Sequence, residues 1–234
     1  MMKIAVRGEG STDIGSLHNG CLDKGPMIIL IEKLECFNRM LSNIGFEDGL
    51  DINDFVEWIY IHKTEIADAE QSRRSIVLRG KKEHRDSYSD LSVLKGFYDN
   101  SEAFAHIAKN AEADLAVFFV DTDRDWCEDR YNQVKAGLIK HGFEQTGIPM
   151  IPVKISESWL MCCLSDYQNC PKHENATTGK TSPHYPKNMC ENSGHTRDEI
   201  AESCDPNRID MPSFNRFRDD FKIAINSLMR YKIC

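Results

Sequence analysis

The sequence predicts an α/β fold around a mostly parallel sheet, and three observations predict it. Short apolar runs alternate with helical ones over residues 1–164, one run is apolar at every position, and acidic residues stand just past the ends of the runs. The first run, Lys3-Ile-Ala-Val-Arg7, is broken by the turn-forming Gly8-Glu-Gly-Ser-Thr-Asp13. Residues 27–45 follow with Ile28, Ile31, Leu34, Phe37 and Leu41 at helical spacing behind Pro26, which suits a first helical turn. Asp54 to His62 is aromatic and β-branched and reads as the second strand.

Residues 64–90 read as a polar, irregular insertion, a basic loop in an acidic protein that carries Arg73, Arg74, Arg79, Lys81, Lys82 and Arg85. Ser89 through Asn110 is a helix whose apolar stripe is Leu91, Leu94, Phe97, Phe104 and Ile107. Leu115-Ala-Val-Phe-Phe-Val120 has no polar position, as a central strand covered by helices on both faces requires, and it ends in Asp121-Thr-Asp-Arg-Asp125. A helix from Asn132 to His141, stopped by Gly142, leads to a fourth strand at 150–155 and to a helix capped by Ser156. Prolines and glycines between 165 and 196 break this rhythm, and a helix from Ser213 to Tyr231 closes the chain. The organisation that follows is a core over 1–164, with a Cys/His-rich loop and a C-terminal helix over 165–234 completing the same domain.

The chain has 234 residues, 28% of them charged and 41% hydrophobic, enough for a substantial core. No stretch approaches the roughly 18 apolar residues of a membrane span, and the N-terminal residues lack the apolar run of a signal peptide, so the expected location is the cytoplasm, away from membranes. Nine cysteines, with Cys162 and Cys163 adjacent, do not look like a secreted disulfide framework and are read as reduced thiols. A net charge of −8 argues against indiscriminate nucleic-acid binding, which rests on cationic contacts to phosphate. Binding of that kind must be local, and the basic loop is the candidate contact.

In an open parallel sheet, ligands sit beyond the carboxyl ends of the strands. Glu9 follows the first strand, Asp121 and Asp123 the apolar one, and Glu157 the fourth. Each acid taken alone reads as a cap or a turn residue. Together they would repel one another unless a hard divalent cation neutralised them. Asp121 and Asp123 lie two apart, so in an extended strand end they face the same side.

Glu9-Gly10 with Asp13, the apolar strand ending in Asp121-Thr122-Asp123, Glu157-Ser-Trp-Leu160 and the late Pro212-Ser-Phe-Asn-Arg-Phe217 resemble the toprim domain in its OLD-nuclease-like branch. The resemblance covers most of the chain. It implies a toprim-like α/β fold, a central, mostly parallel four-stranded sheet flanked by helices, here with a less regular C-terminal extension. It implies a metal site of Glu9, Asp13, Asp121, Asp123 and Glu157 holding Mg2+ or Mn2+. Glu9, Asp121, Asp123 and Glu157 would be catalytic, and a late basic residue would touch the scissile phosphate, with Lys187 the candidate ahead of Lys154 and Lys180. The activity implied is metal-dependent endonucleolytic cleavage of DNA or RNA in antiviral defence. The partner implied is a separate ATPase, because no Walker A stretch occurs in this chain, and a homo-oligomer is compatible with the same reading.

Other readings compete. Asp121-x-Asp123 after an apolar strand is also the opening motif of haloacid-dehalogenase-like phosphatases, with Asp121 as nucleophile, but that reading leaves Glu9 and Glu157 unused. An EF-hand fails because Trp126 stands where the turn needs glycine. The crowding of Cys162, Cys163, Cys170, His173, His184, Cys190, His195 and Cys204 suggests zinc by ligand type but lacks the paired spacing of zinc sites. A toprim-like interaction subunit, inactive until a partner releases it, is the non-enzymatic alternative.

Overall fold

The structure, a computed structural model, describes residues 1–8, 11–18, 21–47, 49–76, 89–121, 128–174 and 179–232. Four parallel strands, β1 (Met2–Arg7), β4 (Val56–Tyr60), β5 (Leu115–Phe119) and β6 (Gly147–Met150), form the central sheet in the order β4-β1-β5-β6. The expected α/β class, with helices flanking a four-stranded parallel sheet, is the one observed. A short helix α1 (Ser11–Ile14) leads from β1 into an antiparallel pair, β2 (Gly15–His18) and β3 (Cys21–Lys24), which the sequence reading did not anticipate.

Strand alternation sorts the helices. Ile4, Val6, Leu115, Val117 and Phe119 point to one face, where α2 (Pro26–Glu32), α3 (Glu35–Asn43), α7 (Glu157–Leu164), α10 (Arg197–Ser203) and α11 (Pro212–Lys232) cover them. Ala5, Ala116, Phe118 and Val120 point to the other, beneath α4 (Lys63–Ile76), α5 (Ser89–Asn110) and α6 (Glu128–Ile139). The connection leaving β1 therefore runs over the first face, and the one leaving β5 runs over the second. Adjacent strands whose connections diverge in this way open a crevice at their carboxyl ends, the place where α/β sheets bind ligands. The β1/β5 pair, in register from Ile4↔Leu115 to Arg7↔Phe118, is that switch point.

Several expectations are corrected. The helix expected over 27–45 is two helices, because Leu34 adopts an extended conformation (φ −65°, ψ 134°) between α2 and α3. Residues 63–76 are helical rather than irregular, with Ile66 buried and Ala69 packed beside it under a polar exterior that hid the pattern. The fourth strand lies at Gly147–Met150, upstream of the expected 150–155. Its last sheet bond is Val120 N–H to Met150 O, after which Pro152 offers no donor and Lys154 takes a left-handed φ of 64°. Pro149 is tolerated inside β6 because β6 is an edge strand. The irregular 165–196 stretch contains short helices, α8 (Cys170–Glu174) and α9 (Pro186–Asn192).

The reduced-thiol reading is also corrected, at four cysteines. Cys162 is bonded to Cys170 and Cys163 to Cys204, with Cα atoms 4.8 and 5.5 Å apart. Adjacent cysteines on α7 thus tie that helix to α8 on one side and to the end of α10 on the other. Among the described residues no helix is long and apolar enough to cross a membrane.

Candidate active site

At the carboxyl ends of the strands the structure brings together two of the expected acids and one residue the sequence reading missed. Asp13 sits in α1, directly after β1, and is buried. A tight turn holds it there. Gly25 N–H donates to Ile14 O, and a Cβ on Gly25 would stand only 2.6 Å from the Asp13 carbonyl oxygen, so the end of the β2/β3 hairpin presses against the Asp13 backbone with no room for a side chain.

Glu157 opens α7 after β6 and is buried as well. The Ser156 cap expected from sequence is not made. Ser156 has helical backbone angles, and its hydroxyl instead donates to Asp13 Oδ1 at 3.1 Å, which links the end of β6 to the end of β1. The register of α7 is fixed from below by Trp159, which is fully buried, donates from its indole Nε1 to Ser213 Oγ at 2.9 Å and packs against Phe214 and Phe217. The Pro212-to-Phe217 motif thus anchors the helix that carries Glu157.

The missed residue is Arg197. Its Nη1 lies 3.3 Å from Asp13 Oδ1 and 3.0 Å from Glu157 Oε1, so one guanidinium nitrogen bridges the two carboxylates. Side-chain exposures of 26% for Arg197, 12% for Asp13 and 7% for Glu157 show that the bridge is largely withdrawn from water. Arg197 is the first residue of α10, whose Thr196/Glu199 capping box and buried Ile200 and Ala201 fix the start of the helix. At the other end Lys33 Nζ donates to the Ala201 and Glu202 carbonyls, and Cys204 is bonded to α7. A signal for Arg197 was present in the sequence: Thr196-x-x-Glu199 is a capping box, and a cation at the positive end of a helix is unfavourable unless something else binds it.

Burial raises the pKa of Asp13 above the ordinary carboxylate value; Arg197 and the Ser156 hydroxyl oppose the rise, Glu157 adds to it and Lys187 again lowers it. Lys187, on α9, is exposed yet close enough to Asp13 to be felt electrostatically. Lys180 is exposed and its carbonyl accepts from Asn188 Nδ2, while Lys154 sits in the turn after β6. Neighbouring Tyr60, at the end of β4, has its phenol pKa raised by burial, with Arg7 opposing and Asp13 adding to the shift. Beneath Glu157, Cys190 Sγ faces its carbonyl oxygen at 4.0 Å, and burial, helped by the Glu157 charge, pushes that thiol up to about 12.

Asp121 closes β5 on the same edge and is half-buried. Glu9 and Asp123, as well as Arg79, Lys81, Lys82 and Arg85, lie outside the described residues; Arg73 and Arg74 fall in the last turns of α4. The donors present suit a hard cation in kind, since Asp13, Glu157 and Ser156 offer only oxygen and the two carboxylates already share one positive charge. Among the described residues, however, no three His, Cys, Asp or Glu side chains lie close enough to hold a metal ion. The zinc reading gains nothing from the structure: four of its cysteines are in disulfides, and a disulfide sulfur is not a thiolate ligand. No protein-family model, curated protein or solved structure matches this chain.

Proposed function

We propose that the chain is a divalent-metal-dependent endonuclease of toprim type, acting on phosphodiester bonds of DNA or RNA at the β1/β5 crevice, in a defence setting governed by a separate ATPase. The observation that carries this reading is the convergence of Asp13 and Glu157, delivered by the ends of two different strands, on one cationic group beside the topological switch point. Buried acids are costly to hold, and a cleft that gathers them at the carboxyl ends of the strands is a candidate functional site.

In this reading Asp13 and Glu157, with Glu9, Asp121 and Asp123, hold Mg2+ or Mn2+. The ion would supply a water of lowered pKa and charge stabilisation at the phosphorus centre. Ser156 keeps the Asp13 carboxylate turned towards Glu157. Lys187 contributes positive potential at the rim, where an anionic backbone would approach, and the Arg73-to-Arg85 stretch would hold that backbone against an otherwise acidic chain. The phosphatase alternative, built on Asp121-x-Asp123 with Asp121 as nucleophile, gives the Asp13–Arg197–Glu157 cluster no role. A cytoplasmic setting belongs to the proposal, and it requires the two disulfides either to withstand a reducing thiol pool or to open in it.

The test is incubation of the purified chain, with its E9A and E157Q variants, with DNA and with tRNA in Mg2+ or Mn2+. The proposal expects cleavage by the wild type and a loss of about a hundredfold or more in each variant. Cleavage that survives both substitutions would remove the assigned site. A wild type that stays silent until the ATPase is added would identify the partner-gated form.

A further inference from the structure

We infer that Arg197 is a resident counter-cation that competes with the divalent ion for Asp13 and Glu157, so that metal binding at this site requires the guanidinium to be displaced. This rests on the metal-site reading above and gives Arg197 a role of its own in it. Three observations carry it.

The first is stoichiometric. A single nitrogen, Nη1, contacts both carboxylates, and the position between two facing acid oxygens is where a shared cation would sit. The second is positional. Arg197 is the first residue of a helix whose opening turn otherwise holds the acids Asp198 and Glu199, the charge that a helix N-terminus favours. Local helix energetics oppose a cation there, so its place is accounted for by the carboxylates it meets. The third is anchoring. Lys33 at the carbonyl end of α10, the Cys163–Cys204 bond and the buried Ile200 and Ala201 hold the helix backbone, so release has to come from rotation of the Arg197 side chain rather than from movement of α10.

The consequence is a site whose acid pair has a cation in two states, with Arg197 inward in the absence of metal, leaving one net negative charge, and swung outward in its presence. An acid pair that shares one cation in this way suffers less of the self-repulsion that an empty carboxylate cluster would feel. It also binds cations less tightly than its ligands alone would, by the free energy of the ion pairs that must first be broken.

Direct measurement of Mn2+ binding by titration calorimetry, without nucleic acid, tests this on wild-type, R197M, R197K and E157Q protein. R197M removes the competitor and is expected to bind Mn2+ about tenfold more tightly than the wild type. R197K, which retains a charge but reaches less far, should fall between them, and it serves as the test if R197M does not fold. The melting temperature of R197M should rise more on adding Mn2+ than that of the wild type. Equal or weaker Mn2+ affinity in R197M and R197K would overturn the inference while leaving the metal site standing. Unchanged affinity in E157Q would instead remove the metal site itself, and this inference with it.

Discussion

The two ends of one sheet have opposite chemistry. At the amino ends of the strands Met2, Met40, Ile44, Phe55, Leu228 and Met229, with Asp54 among them, line a mostly apolar cavity of about 400 Å3. At the carboxyl ends Asp13, Glu157 and Arg197 form a buried ionic bridge, with Ser156 and Lys187 beside it. The same four strands feed both ends, so the fold by itself does not dictate the difference. Apolar walls at the amino end satisfy packing and cost little. Buried charge at the carboxyl end costs desolvation, and a chain that retains it there has concentrated its unfavourable terms in the crevice where parallel sheets bind ligands.

The comparison breaks most readily at the residue that supports the charged end. Trp159→Ala, which deletes a fully buried ring and its bond to Ser213, should cost about 4 kcal/mol in urea unfolding. Met229→Ala, at the half-buried lip of the amino-end cavity, should cost below about 1 kcal/mol in the same experiment. Similar losses in the two variants would mean that the charged end is no better supported than the apolar one.

The disulfides sharpen the contrast, since they bind elements on the charged side only. Cys163→Ser should lower stability by about 3 to 4 kcal/mol, because the bond it removes closes a loop with a sequence separation of 41 residues. Unfolding with and without reductant checks this: reductant should shift the wild type and leave a double Cys162→Ser/Cys163→Ser variant unmoved.

The smallest expected effect is a pH dependence at α8. Burial lowers the pKa of His173 below its ordinary 6.5, so the unfolded chain takes up this proton more readily than the folded one. The neutral ring's contribution is therefore complete above 6.5 and is lost as the pH falls from there through the folded-state value. Stability measured between neutral pH and pH 5 should fall by less than about 1 kcal/mol from this group, and His173→Asn should flatten that part of the curve.

Much of the architecture was legible because it follows from periodicity. The all-apolar Leu115-to-Val120 run could only be a strand covered on both faces, and the stripe from Leu91 to Ile107 marked α5 with its observed ends. The failures were local. Ile66 and Ala69 are too few among polar neighbours to announce α4, and an apolar 150–155 looked like a strand although Pro152 and the left-handed Lys154 take it out of the sheet. The β2/β3 hairpin had a signal that went unread, Asn19-Gly20 between two short runs. For the site, Asp13 and Glu157 were legible from their places after strands. The capping box marks Arg197 as a cation out of place, but not its partners, because it lies 184 residues from Asp13 and 40 from Glu157, and only tertiary packing of α10 against α7 brings it in.

The proposed function requires a divalent cation between Asp13 and Glu157 at the carboxyl edge beside β1 and β5. Diffraction from crystals grown with Mn2+, recorded at the manganese absorption edge, tests this most directly. The expected result is an anomalous peak within bonding distance of the Asp13 and Glu157 carboxylates, with the Arg197 guanidinium moved away from both. Mn2+ bound elsewhere, or an Arg197 bridge that persists unchanged in saturating Mn2+, would contradict it.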